Sequence, residues 1–155
     1  MNIRKAGIKD IPQLVEMRIG YLTVDCGDLT TEQLEALKLQ LPDYFRRQLG
    51  SGVLAYVAEE DERLVSTVLM VIAEKPANPH FITGKTGTLL NVFTRAEYRR
   101  QGLAGKLIDL AIQDAKALNL SYIDLSASKD GYPLYKKLGF TEDHSEFVPM
   151  KLNLI

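Results

Sequence analysis

Asn91 to Leu107 reads Asn-Val-Phe-Thr-Arg-Ala-Glu-Tyr-Arg-Arg-Gln-Gly-Leu-Ala-Gly-Lys-Leu, passing from a predicted strand through a basic loop into a predicted helix. The helix start is unusual. Gly102 and Gly105 each cost about 1 kcal/mol relative to alanine inside a helix. Arg99, Arg100 and Lys106 add positive charge at the end where the helix dipole is already positive. Both features make sense if an anion binds there. Glycine lets the backbone approach closely, free N–H groups point at the anion, and arginines neutralise it. The other reading is a solvated basic turn with incidental glycines, and the order strand, glycine loop, helix weighs against it.

Other chemical signals are weaker. Gly84-Lys85-Thr86 echoes the end of a P-loop, but the required earlier glycine falls on Pro79 and a strand follows instead of a helix. His80 and His144 lack metal-ligand spacing, so no metal site is expected. Cys26 is the only cysteine and has no histidine paired with it in sequence. It reads as an ordinary free thiol and cannot form an intrachain disulfide, which suits a reducing, cytoplasmic location.

These residues need a scaffold, and the composition permits one. The 155 residues are 46% hydrophobic and 25% charged, as in an ordinary globular domain, and one domain over 1–155 is expected. The net charge of −1 gives no global reason to bind nucleic acid or an anionic membrane. No apolar run reaches membrane-span or signal-peptide length. Asn2–Lys5 reads as a short strand. Asp10, with Pro12 and Gln13 behind it, reads as a capped helix start. Ile11, Leu14, Val15, Arg18, Ile19 and Leu22 follow at mostly helical spacing. A second helix starts near Thr30, with Gln33 completing a capping box, and Pro42 should kink or split it. Residues 54–59 and 64–73 read as a hairpin around a tight polar turn, and 87–93 as another strand. Residues 103–118 form a helix, 122–126 a short strand, and Asp130-Gly131-Tyr132-Pro133 opens a brief helix ended by Gly139. Residues 141–144 and 147–154 read as closing strands. The order βααβββαβαββ is an α+β pattern around one core.

Two motifs in this order carry a resemblance. Arg99-Arg100-Gln101-Gly102-Leu103-Ala104 is similar to the Q/R-x-x-G-x-G/A signature of the GNAT superfamily of N-acetyltransferases. Leu134-Tyr135-Lys136-Lys137-Leu138-Gly139-Phe140 resembles that family's L-Y-x-K-L-G-F segment. One helix and one strand lie between them, as in the family. The resemblance implies a mixed, mostly antiparallel sheet of about six to seven strands, flanked by about four helices, with two central strands splayed apart.

It also implies acetyl-CoA as cosubstrate. The pyrophosphate would lie on the loop formed by Gln101, Gly102, Leu103, Ala104, Gly105 and Lys106, assisted by Arg99 and Arg100. The pantetheine arm would pair with Val92, Phe93 and Thr94. Tyr135 matches the family tyrosine that protonates the departing thiolate, and Ser128 stands where the family often has a cofactor-contacting asparagine. A core tyrosine packing the short helix is the competing reading of Tyr135. The strand 87–93 carries no carboxylate, so no general base is assigned. Asp124 on the next strand reads more simply as an exposed strand residue.

The expected activity is transfer of acetyl from acetyl-CoA to the primary amine of a small molecule or protein by direct attack. The alternative is a non-catalytic acyl-CoA sensor. By family analogy Tyr21, Asp25, Phe81 and Asn91 would line the acceptor side. Asp25 and Asp28 hint at a cationic acceptor, and a solvated loop explains them equally well. Many relatives of this fold are dimers, so a homodimer is one expectation.

Overall fold

The strands at the centre of the sheet are apolar on both faces, because both faces are covered. The computed structural model describes Met1–Ile155. Its contacts divide the chain into two units, Met1–Leu125 and Ser126–Ile155. The first holds β1 (Asn2–Lys5), α1 (Ile11–Cys26), α2 (Thr31–Gln48), β2 (Val53–Glu60), β3 (Arg63–Glu74), β4 (Lys85–Thr94), α3 (Leu103–Ala117) and β5 (Ile123–Asp124). The strands lie in the order β1-β2-β3-β4-β5. Pairing is antiparallel throughout except between β4 and β5, which are parallel. Parallel neighbours need a long crossover, and α3 supplies it.

Val53, Ala55 and Val57 of β2 pack with Ile11, Leu14 and Met17 of α1 and with Leu41 and Phe45 of α2. The alternate residues turn the other way: Ala58 packs with Leu103 of α3, and the Tyr56 hydroxyl donates to Asp114 of α3 at 2.9 Å. The hairpin between β2 and β3 turns on Asp61 and Glu62, both at positive φ (49° and 64°). That is the backbone a two-residue turn needs to match strand twist.

Two expectations about the helices change. Asp10 precedes α1 but does not cap it. Its buried carboxylate takes two hydrogen bonds from Arg4, each 2.8 Å, and one from the Gly7 N–H at 2.7 Å. Gln13 bridges to the hairpin instead, donating to the Glu62 carbonyl and accepting from the Leu64 N–H. Pro42 does not split α2, which runs as one helix of 18 residues. Lys38, whose carbonyl loses its partner, is exposed, and buried Leu41 and Phe45 anchor the helix on both sides of the proline.

The sheet has five strands rather than six or seven. The expected strand 122–126 shortens to Ile123–Asp124. Residues 141–144 and 147–154 form no strand. Phe147, Val148, Met150, Leu152 and Leu154 are all at least 79% exposed. From Val148 on, the alternation is that of a strand, but a strand exists only where an edge accepts its hydrogen bonds. The second unit holds α4 (Tyr132–Lys137). Ser128 Oγ accepts from the Gly131 N–H at 3.1 Å at the head of this helix. Gly139 (φ 101°) ends it, with the Phe140 N–H reaching back to the Tyr135 carbonyl at 3.0 Å.

No helix is long and apolar enough to cross a membrane.

Candidate functional site

Two irregularities in β4 shape the candidate site. Thr67 of β3 faces Phe93, while Leu69 faces Leu90, so β4 carries an extra residue between these pairs. Asn91 absorbs the bulge at φ 54°, a conformation asparagine tolerates better than most residues. On the other side, β4 pairs with β5 only through Gly87 and Thr88. From Leu89 to Thr94 that edge has no strand partner. Main-chain groups on such an edge can receive an extended ligand as an added strand.

β4 runs on through a 3-10 turn, Ala96–Tyr98, to the start of α3. Gly102 stands at the N-cap with φ 76°, and no side chain caps the helix. Arg100 is also left-handed, at φ 62°. Arg99, Arg100, Gln101, Gly102 and Lys106 are exposed, while Leu103 and Leu107 anchor the helix in the core. Arg99 Nε donates to the Thr94 carbonyl at 3.1 Å, which ties the basic loop to the end of β4. A Cβ on Gly102 would meet nothing within 4 Å, so glycine is needed there for its φ and not for lack of room. The result is a set of unsatisfied N–H groups, with the positive end of a helix dipole and two exposed guanidiniums beside them. That donor set fits a diphosphate.

On the α1 side of β4, Tyr21 packs edge-on against Phe93 with centroids 6.4 Å apart. Asn91 is 4% exposed. Its Nδ2 donates to Thr67 Oγ1 at 3.0 Å, and its Oδ1 lies 3.5 Å from Arg18 Nη1. The Arg18 guanidinium also lies over the Tyr21 ring, 5.9 Å from its centre. Burial pushes the Tyr21 phenol above its ordinary value; Asp25 adds to the shift and Arg18 opposes it.

The expected acceptor residues therefore separate. Tyr21 and Asn91 meet around Arg18. Asp25 stands one turn beyond Tyr21 on α1, exposed and close enough to act on its phenol. Phe81 packs on Tyr122 and Lys75, and the Tyr122 carbonyl accepts from Gly87 at the far end of β4. Asp124 is exposed and accepts from the Thr88 hydroxyl.

Arg18 was not singled out from sequence, although a signal was present. It is the one charged residue in the otherwise apolar stripe of α1. In the second unit, the Tyr135 ring is buried and lies over Gly131, where a Cβ would come within 2.9 Å of it. It meets Phe140 edge-on at 6.0 Å.

Comparison with known proteins follows the same lines. The acetyltransferase (GNAT) family matches residues 21–140. No curated protein sequence matches the chain. Among solved structures, a predicted acetyltransferase with acetyl-CoA from Clostridium acetobutylicum is 32% identical, with a TM-score of 0.83 over 97% of this chain and 95% of that one. A GCN5-related N-acetyltransferase from Ralstonia eutropha is 20% identical, with a TM-score of 0.78 over 96% and 97%. Glucosamine-6-phosphate N-acetyltransferase from Arabidopsis thaliana is 22% identical, with a TM-score of 0.68 over 99% and 98%. The last two share the fold. The family match and the Clostridium relative carry the further step: the chain belongs to the GNAT acetyltransferase family.

Proposed function

We propose that the protein is an N-acetyltransferase that moves the acetyl group of acetyl-CoA to a primary amine by direct attack. The observation that carries this reading is the uncapped, glycine-led start of α3, placed directly after the bulged end of β4. The Gln101–Lys106 loop, through the N–H groups that its own helix leaves open, holds the pyrophosphate with Arg99 and Arg100. Val92, Phe93 and Thr94 pair with the pantetheine arm along the β4 edge left free beyond Thr88.

The cosubstrate supplies an activated acetyl group as a thioester. An N–H at the end of β4 polarises the acetyl carbonyl, and the neutral amine forms the new C–N bond as the C–S bond breaks. Tyr135 donates its phenolic proton to the departing thiolate. A phenol holds its proton at neutral pH and can give it to a developing anion. The amine's surplus proton leaves to solvent, and Tyr135 regains its own proton from solvent. Holding thioester and amine together supplies much of the rate. Ser128, at the head of α4, is assigned a cofactor contact only beyond its bond to Gly131.

The test is an amine-panel acetylation assay with acetyl-CoA, read by product mass and free-thiol release. Acetylated amine appearing with one thiol per turnover is the expected result. CoA binding without turnover on any amine would replace this reading with an acyl-CoA sensor. Tyr135→Phe keeps the ring and removes the hydroxyl. Its kcat should fall roughly 10²–10⁴-fold with little change in KM. A variant within about threefold of the parent, well short of that range, leaves Tyr135 as packing.

A further inference from the structure

Arg18 differs from the other arginines that α1 and the sheet hold in place. Arg4 pairs with Asp10 and Glu59, Arg63 with Glu97, and Arg95 with Glu16. Arg18 is half-buried in the apolar stripe of α1 and has no carboxylate within ion-pair distance. Its contacts are the 3.5 Å approach to Asn91 Oδ1 and the face of Tyr21. Asp25 lies seven residues further along the helix, about 10 Å by helix rise, and is exposed. Tyr44 of α2 also feels the Arg18 charge, which opposes the upward shift that burial gives its phenol.

A guanidinium cannot shed its proton, so partial burial removes hydration without relieving the charge. A cation–π contact on Tyr21 recovers part of that loss, and most of the five N–H donors remain unused. Asn91 is held from behind by Thr67 and fixes one corner of the fork. It sits on the bulge directly before Val92, Phe93 and Thr94, where the thioester is assigned.

We infer that the acetyl acceptor carries an anionic group with two or more oxygens, a carboxylate or a phosphate, which Arg18 binds while the amine reaches the end of β4. The inference rests on the acetyltransferase reading and names its substrate class. It replaces the hint of a cationic acceptor from Asp25 and Asp28, both of which are exposed. The planar fork of arginine matches both oxyanions, and the substrate pairs below tell them apart.

The experiment compares matched amines that differ only in the anion. Amino acids are set against their amides, and aminoalkyl phosphates against the parent amino alcohols, with wild type, Arg18→Lys and Arg18→Met. In the wild type one anionic series should show a kcat/KM about 10- to 100-fold higher than its neutral series, mainly through KM. Arg18→Met should collapse that ratio, and Arg18→Lys should keep part of it. A purely structural arginine would lower both members of a pair alike and leave the ratio intact, which overturns the inference. So does equal wild-type turnover of anionic and neutral partners, a comparison that needs no variant to fold. Absence of turnover with every amine, with CoA still bound, overturns the acetyltransferase reading and this inference with it.

Discussion

The starts of α2 and α3 obey the same electrostatics and end differently. At α2, Thr30 Oγ1 accepts from the Gln33 N–H at 3.1 Å, and Gln33 Oε1 accepts from the Thr30 N–H at 2.9 Å. Glu32 adds negative charge in the first turn. The orphan N–H groups there are answered from within the chain. At α3 no side chain caps, the first turn has no acid, and Arg99 and Arg100 flank it. A cap absent by itself means little, since α1 also has none. There Pro12 stands in the first turn, the acid Asp10 occupies the N-cap position and no arginine leads in. The combination at α3, positive charge added to an already positive end, is what the proposed pyrophosphate site rests on.

The sharpest way to break the contrast is to give α3 its own cap. Gly102→Asp places a carboxylate on the free N–H groups, and aspartate tolerates the left-handed backbone better than most residues. CoA affinity should fall roughly 100-fold, the worth of one or two charge-assisted hydrogen bonds. Thermal stability should move by no more than about 1 kcal/mol, the scale of a single cap. Titration calorimetry and a melting curve read both. Unchanged affinity would mean that the open start of α3 is not where the cosubstrate's phosphates lie.

Of about the same size is the effect at the Asp10 carboxylate, which stands before α1 and is turned toward Arg4 and not onto the helix. The hydrogen bonds from Arg4 hold its carboxyl below the ordinary value of 3.8, with burial opposing. A depressed carboxyl stabilises the fold above its unfolded pKa, and that stability is lost as pH falls through the lower folded value. Asp10→Asn should cost about 3 kcal/mol at pH 7, the scale for breaking a mostly buried ion pair. The gap to wild type should close as pH drops below the ordinary carboxyl range. A gap that stays constant down to strong acid contradicts this role.

The smallest effect belongs to α2. Thr30→Ala removes half of the capping box and should cost about 1 kcal/mol in denaturant unfolding, with CoA affinity unchanged. A loss of CoA affinity in this variant would erase the distinction between a structural helix start and a binding one.

Particular residues show what was legible in the sequence. The Thr30 box, the Asp61-Glu62 turn and the glycine at the head of α3 are local, and local rules suffice for them. Gln13 was misread because its side chain finds better partners in Glu62 and Leu64, far along the chain. The closing strands were misread because alternation at Val148, Met150, Leu152 and Leu154 says what a strand would look like, not whether an edge is free to pair with it. In the proposed site, the loop at the head of α3 and Tyr135 rest on motifs. Arg18 was passed over because helical periodicity sorts residues by face and does not ask why a charge lies on the apolar one. The register slip at Asn91 depends on β3 and cannot be seen from β4 alone.

The central claim is that the start of α3 binds the pyrophosphate of CoA. Its most direct test is calorimetric titration of CoA and of pantetheine, which lacks the pyrophosphate, into the wild type and Gly102→Val. Valine is β-branched and resists positive φ, so it displaces the loop that Gly102 shapes. The wild type should bind CoA roughly 100-fold or more tightly than pantetheine, and the variant, still folded by circular dichroism, should bind the two nearly alike. A folded valine variant that keeps the full preference for CoA would contradict the account.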